Sequence, residues 1–192
     1  MKDDKIFITS ATRTAVATIG KTLKNISAEK LGSCVIDNLL KKSNINPDEI
    51  DEIIMGQVLT GGAGQNPARQ AAIKSGIPKE KPAFVVNQVC GSGIRSIASG
   101  YQSIKSKDSK IVIAGGQESM SLAPHAIHLR DGKKLGDKEL IDTMIRDGLW
   151  DAFHGYHMGV TAENVAEKFQ VTREEQDKFA LKSQEKAIKA QK

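Results

Sequence analysis

Val85-Val-Asn-Gln-Val-Cys-Gly-Ser-Gly-Ile-Arg95 joins a short apolar run to a glycine-flanked cysteine and then to an amphipathic stretch. Ala83 to Val86 reads as a buried strand. After Gly93, residues Ile94, Ile97, Ala98, Tyr101 and Ile104 recur at offsets of three and four, which fits one face of a helix. Cys90 therefore sits where a strand hands over to the first turn of a helix. Unpaired N–H groups at such an end favour an anion by about 0.3–1 kcal/mol, so the site favours a thiolate. Gly91 and Gly93 allow a tight turn and a close approach to the backbone. A turn of this kind exposes an attacking atom and presents N–H groups to an oxyanion, the requirements of acyl transfer.

Working outward, the alternation of strand and helix continues. Ile6 to Thr9 reads as a first strand. Ser27 offers an N-cap for a helix to about Lys42, with Leu31, Val35 and Leu39 recurring and Cys34 beside them as a small core residue. Ile53 to Val58 reads as a strand, Pro67 to Lys74 as a helix closed by Gly76 and Pro78, and Ile111 to Ala114 as a further strand. This order specifies an α/β layered domain with a central mixed sheet between helices, ending near Ser121. Beyond it the chain is irregular to Met158. Two helices then follow, about Val160 to Phe169 and Arg173 to Gln191, the second with a capping box of Thr172 and Glu175. The pattern still reads as helical at Lys192, which suggests that the chain is truncated.

Composition narrows the class. Charged residues make up 27% and apolar residues 39%, an ordinary globular balance, and no apolar run reaches membrane-span length. No signal-like segment follows Met1, so the expected location is cytoplasmic and both cysteines are expected as free thiols. The net charge of +5 is spread along the chain, and aromatics are only 4%, which argues against a nucleic-acid platform. Lys178, Lys182, Lys186 and Lys189 read as a solvated helix face.

Three other readings compete for the same residues. Gly91-x-Gly93 after a strand imitates part of a dinucleotide fingerprint. Ser96 replaces its third glycine, and no acidic residue lies near Ala114. His125-x-x-His128 and His154-x-x-His157 invite a metal reading, but no thiolate or carboxylate completes a set in one element, so no metal is expected. Cys90 could also be a plain core residue, a reading that its glycine flanks oppose.

Asn87-Gln-Val-Cys-Gly-Ser-Gly93 resembles the nucleophile motif of the thiolase family. Arg13-Thr14, Gly56-Gln-Val, Gly64-Gln-Asn-Pro-Ala-Arg-Gln70, Gly115-Gly-Gln-Glu-Ser-Met-Ser121 with Ala123-Pro-His125, His157-Met-Gly-Val-Thr-Ala-Glu163 and Arg173-Glu-Glu-Gln-Asp177 follow that family's order and spacing. Ketoacyl synthases share the general fold, but the blocks after Ser121 fit thiolases better.

The resemblance implies residues 1–121 as an N-terminal core domain and 122–192 as an incomplete loop domain for CoA binding, with the C-terminal core domain absent. It implies an acetyl-CoA C-acetyltransferase, converting two acetyl-CoA to acetoacetyl-CoA and CoA through acetyl-Cys90. Leu149, His157 and Met158 match positions that line the pantetheine channel. The segment from His128 to Thr143 resembles an assembly loop, which implies a homo-oligomer, dimer or tetramer. No cofactor beyond CoA thioesters, no nucleic acid and no membrane partner is expected. In the family a histidine and a second cysteine come from the C-terminal half, and neither motif occurs after Met158. The chain alone is therefore expected to be inactive, or nearly so, in condensation, with acyl loading onto Cys90 surviving at most weakly, and one apolar face of its core is expected to be left bare. A non-catalytic assembly subunit from a truncated or split gene is the alternative.

Overall fold

The computed structural model describes residues 5–130, 132 and 135–191. Met1 to Asp4, Asp131, Lys133, Lys134 and Lys192 lie outside the described residues, so part of the His128–Thr143 loop does too. The chain divides into two compact units, Met1–Gly148 and Leu149–Lys192.

The first unit is a parallel sheet between helices. Its strands are β1 (Glu52–Gly56), β2 (Ala83–Val86) and β3 (Val112–Gly116), in the order β2-β1-β3. Register places Ile53 opposite Ala83 and Ile113, and Gly56 opposite Val86 and Gly116. Helix α2 (Pro67–Lys74) links β1 to β2, and α3 (Ser92–Lys105) links β2 to β3. The two crossovers run in opposite directions along the sheet. Right-handed connections therefore put α2 and α3 on opposite faces. Among the described residues, antiparallel pairing is limited to a small ladder of β4 (His125–Ala126) and β5 (Ile141–Asp142) and an isolated bridge between Trp150 and His157.

Strand alternation decides what each face buries. Ile53, Met55 and Ile113 point to the face covered by α1 (Ala28–Ser43) and α2, where they pack with Ile36, Leu40, Ala68, Ala71, Ala72 and Ile77. Each large apolar side chain buried this way contributes about 1.5–3 kcal/mol. Asp51 fixes the entry to β3, its Oδ2 accepting from Lys110 N (2.7 Å) and Ile111 N (3.0 Å). These two backbone bonds hold its carboxyl below the usual carboxylate range.

The other face has almost no room. Gly56, at the end of β1, touches the first turn of α3: a Cβ there would lie 2.5 Å from Ser92 C and 2.7 Å from Gly93 N. A Cβ on Gly100 would lie 3.1 Å from Val112 Cγ1. Only small residues fit such an approach, and the buried residues of α3 are Ser92, Ser96 and Gly100. The apolar stripe of α3 thus faces away from the sheet. Ile94 is 75% exposed and Tyr101 52%.

Other sequence expectations are corrected. Ile6–Thr9 is not a strand; Phe7 and Ile8 are exposed, and no described residue pairs with them, so this apolar run lacks the ladder that a strand requires. Cys34 is exposed rather than in the core. The buried stripe of α1 is Gly32, Ile36 and Leu40, one position on from the stripe read in the sequence. Gly32 sets this rotation by making room for Gln117, whose Oε1 would lie 1.9 Å from any Cβ there. Ser27 flanks α1 without capping its backbone; its hydroxyl goes to Glu29 (2.5 Å). Strand β2 is only half-buried, with Phe84 exposed on its outer side.

In the second unit, α4 (Met158–Lys168) and α5 (Arg173–Gln191) match the two helices read from the sequence. The Thr172–Glu175 box is formed in both directions, at 2.9 Å and 3.2 Å. All of the described α5 residues are exposed, the lysine face included. No helix among the described residues is long and apolar enough to cross a membrane.

Candidate active site

The carboxyl ends of the three parallel strands bring together three loops that are far apart in sequence: Gln57–Leu59 after β1, Asn87–Cys90 after β2 and Gln117–Ser119 after β3. Parallel sheets commonly hold their reactive groups at this edge. The ladder runs on by one residue on each side, through Gln57 N to Val86 O (3.1 Å) and Gln117 N to Gly56 O (3.0 Å).

Cys90 is exposed at this edge, immediately before Gly91, the N-cap of α3. Its turn is closed by Gly91 N to Gln88 O (3.0 Å) and Ser92 N to Val89 O (3.1 Å). The N–H of Cys90 donates to no acceptor among the described residues. A thiol and an unpaired backbone donor therefore belong to one residue at the head of a helix. An arrangement of this kind can serve as a nucleophile with an oxyanion donor beside it.

Val89, just before it, has φ +47°. A β-branched side chain in this left-handed region is costly, on the order of 1–3 kcal/mol, and persists only where its surroundings impose it.

Side chains the sequence reading left without a role tie the three loops together. Glu118 accepts from Val58 N (2.8 Å) and Leu59 N (3.3 Å). Buried Gln57 donates from Nε2 to Leu59 O (2.9 Å), and Gln117 Nε2 donates to Gln57 Oε1 (2.9 Å). Asn87 Nδ2 reaches Val58 O at 3.4 Å. The available signal was a run of uncharged amides and one carboxylate directly after buried strands, where each buried polar group needs a partner. Further away, Asn66 caps α2 by accepting from Arg69 N (3.1 Å) and donates to Ala83 O (2.8 Å).

Burial pushes the Glu118 carboxyl above its ordinary value, outweighing the N–H groups of Val58, Leu59 and Ser119 that favour its ionised form. With the folded value raised, the unfolded chain releases this proton at lower pH. The Glu118 contribution to stability is then largest below the ordinary carboxylate value of 4.5 and declines as pH rises through the folded value. Glu118→Gln lacks this titration. In paired urea melts, the stability difference is expected to move in favour of the variant as pH is raised from about 4.5. A difference independent of pH would contradict this assignment.

The remaining candidates lie in the second unit. Leu149 and Met158 are half-buried, whereas His157 is exposed. Leu149 precedes Trp150, which forms an antiparallel bridge with His157. His157 is the N-cap of α4, its Nδ1 accepting from Gly159 N (3.0 Å), and Met158 is the first residue of that helix. Of the histidine pairs, His125 lies 3.8 Å from Asp142, and His154 lies 3.2 Å from Asp151 and stacks on Tyr156. Among the described residues no three His, Cys, Asp or Glu side chains gather where a metal could bind.

Comparison with known proteins supplies the context for this geometry. A family-wide sequence model described as "Thiolase, N-terminal domain" matches residues 6–192. An acetyl-CoA acetyltransferase of Rhizobium meliloti is 57% identical over 192 residues, covering 100% of this chain and 49% of the relative. An acetyl-CoA acetyltransferase of Paracoccus denitrificans is 54% identical over 98% of this chain and 48% of its own length. A probable acetyl-CoA acyltransferase of Staphylococcus aureus is 48% identical over 97% and 48%. The chain thus spans about half the length of the curated relatives it matches.

Proposed function

We propose, from the premise that the chain belongs to the thiolase family, that it carries the acyl-accepting nucleophile of an acetyl-CoA acetyltransferase. One observation carries the reading: Cys90 is exposed at the head of α3 with its own N–H unpaired. The relatives' names supply the substrate class, CoA thioesters of small acyl groups.

In this reading the Cys90 thiolate attacks the carbonyl carbon of acetyl-CoA. The carbonyl oxygen becomes an oxyanion, held in part by the Cys90 N–H. Collapse of the tetrahedral intermediate breaks the bond to the CoA sulfur, leaving acetyl-Cys90 and a CoA thiolate, which takes up the proton released from the thiol. A second acetyl-CoA, deprotonated at its methyl group, then forms a carbon–carbon bond to the acetyl carbonyl carbon; the bond to Cys90 Sγ breaks, Cys90 leaves as the thiolate, and acetoacetyl-CoA is the product. CoA acts throughout as a carrier of substrate, and no metal or redox group is called upon.

Leu149, His157 and Met158 are proposed to contact the pantetheine arm, within a CoA-binding segment that begins at Leu122. The histidine base and second cysteine that the full cycle requires are assigned to sequence beyond these 192 residues. The bare face of α3, with Ile94, Ile97 and Tyr101, is proposed as the surface against which that further protein packs.

A half-reaction tests the proposal without a second substrate. Isotopically labelled CoA is expected to exchange into acetyl-CoA in the presence of the protein, because a covalent acetyl-enzyme returns its acetyl group to any CoA thiol. Exchange no faster than in protein-free buffer would sink the reading.

A further inference from the structure

We propose that Ser92 and Asn87 are positioning residues that hold both peptide groups of Val89 and thereby set the direction of the Cys90 N–H. The proposal rests on the reading of Cys90 as the acyl carrier. Ser92 is 4% exposed, wedged against Gly56. Its hydroxyl donates to Val89 O (2.6 Å) and accepts from Gln88 N (2.9 Å). Asn87 Oδ1 accepts from Val89 N (2.9 Å). Both peptide planes on either side of Val89 are therefore pinned by side chains.

That double grip matches the cost of the conformation it imposes. The other described non-glycine residues at positive φ are Asn44, Asn66, Lys107 and Gln170, none of them β-branched. A valine has no reason of its own to adopt φ +47°, so the bonds around it must supply one. The consequence reaches Cys90 through planarity. In a trans peptide the carbonyl of Val89 and the N–H of Cys90 point in opposite directions. Val89 O is held at 2.6 Å by the Ser92 hydroxyl and at 3.1 Å by the Ser92 N–H, and the shorter, side-chain bond helps fix where the Cys90 N–H points, and with it where an oxyanion is received. Release of Val89 to an ordinary β or helical conformation would turn that donor, and the thiol, away from the head of α3.

The test uses the two thiols of the same molecule. Both Cys34 and Cys90 are exposed, so Cys34 serves as an internal reference for general loosening of the fold. Iodoacetamide labelling, resolved by peptide mass spectrometry, gives the ratio of the Cys90 rate to the Cys34 rate. Ser92→Ala is expected to lower this ratio about tenfold, the effect of losing two hydrogen bonds on one local equilibrium, with the Cys34 rate unchanged. Val89→Gly in the Ser92→Ala background is expected to restore the ratio to within about threefold, because glycine enters the left-handed region freely. A ratio unmoved by Ser92→Ala, or a loss that Val89→Gly leaves in place, would overturn the proposal.

Should Ser92→Ala fail to fold, the Asn87 pair decides. Asn87→Asp keeps the Oδ1 acceptor and is expected to lose less of the ratio than Asn87→Ala; equal losses would overturn the proposal. Labelling needs no CoA, so absence of CoA exchange in the unsubstituted chain defeats the acyl-carrier reading by itself and leaves the labelling result to stand or fall alone.

Discussion

Cys90→Ala is expected to return the exchange of labelled CoA into acetyl-CoA to the protein-free rate, while leaving the fold in place. The thiol is exposed and makes no hydrogen bond in the core, so its removal falls in the class of surface substitutions, within about 0.5 kcal/mol. Exchange and thermal melting, measured on one preparation, separate the two effects. Cys34→Ala provides the contrast: Cys34 is also exposed but lies mid-helix in α1, away from the head of a helix, and exchange should persist. Loss of exchange in both variants would show that the cysteines act through structure rather than chemistry.

The second large effect is expected at Gly56, and it acts on stability. An added methyl meets backbone atoms of Ser92 and Gly93 on the first turn of α3, not the movable end of a side chain. Either the strand end or the whole helix must retreat. Gly56→Ala should destabilise the protein by about 3 kcal/mol, roughly 10 °C in Tm for a chain of this size. It should also slow labelling of Cys90, because the turn rides on the part of α3 that is displaced. Gly93→Ala is the matched control. It lies on the same turn with no heavy atom within 4 Å of its added Cβ, and its melting temperature should change little. Equal melting curves for Gly56→Ala and the unsubstituted protein would refute the packing argument.

Much of both units was legible where the signals are local. Pro67 and Gly76 bracketed α2, whose bounds fall where punctuation placed them. The glycine-flanked Cys90 marked the strand–helix junction, and Thr172 with Glu175 announced α5. Errors arose where the outcome depends on what a face packs against. Periodicity in α1 identified a helix but not its rotation, which Gly32 and the Gln117 amide set from a distance. Periodicity in α3 identified an apolar stripe but not which side of the helix meets the sheet. The sheet side of α3 is chosen by size, through Ser92, Ser96 and Gly100, and not by hydropathy. Ile6–Thr9 has strand composition without a strand's partner.

The candidate site divides in the same way. The exposed turn at Cys90 was visible because a glycine-flanked residue between a strand and a helix carries a compact signature. Gln57, Gln117 and Glu118 stood in the quoted motifs, yet their task of lashing three loops together could be seen only once the strands were placed side by side. Val89 gave no signal at all, since its sequence is that of an ordinary strand residue and its backbone conformation is imposed by Asn87 and Ser92.

The most direct test is the mass of the Cys90 peptide after brief incubation of the protein with acetyl-CoA and acid quenching. The account predicts one added acetyl group on Cys90, formed at least about tenfold faster than on Cys34 and removed again when free CoA is added. Acetylation of the two thiols at the same rate, or an adduct that CoA cannot discharge, would contradict it.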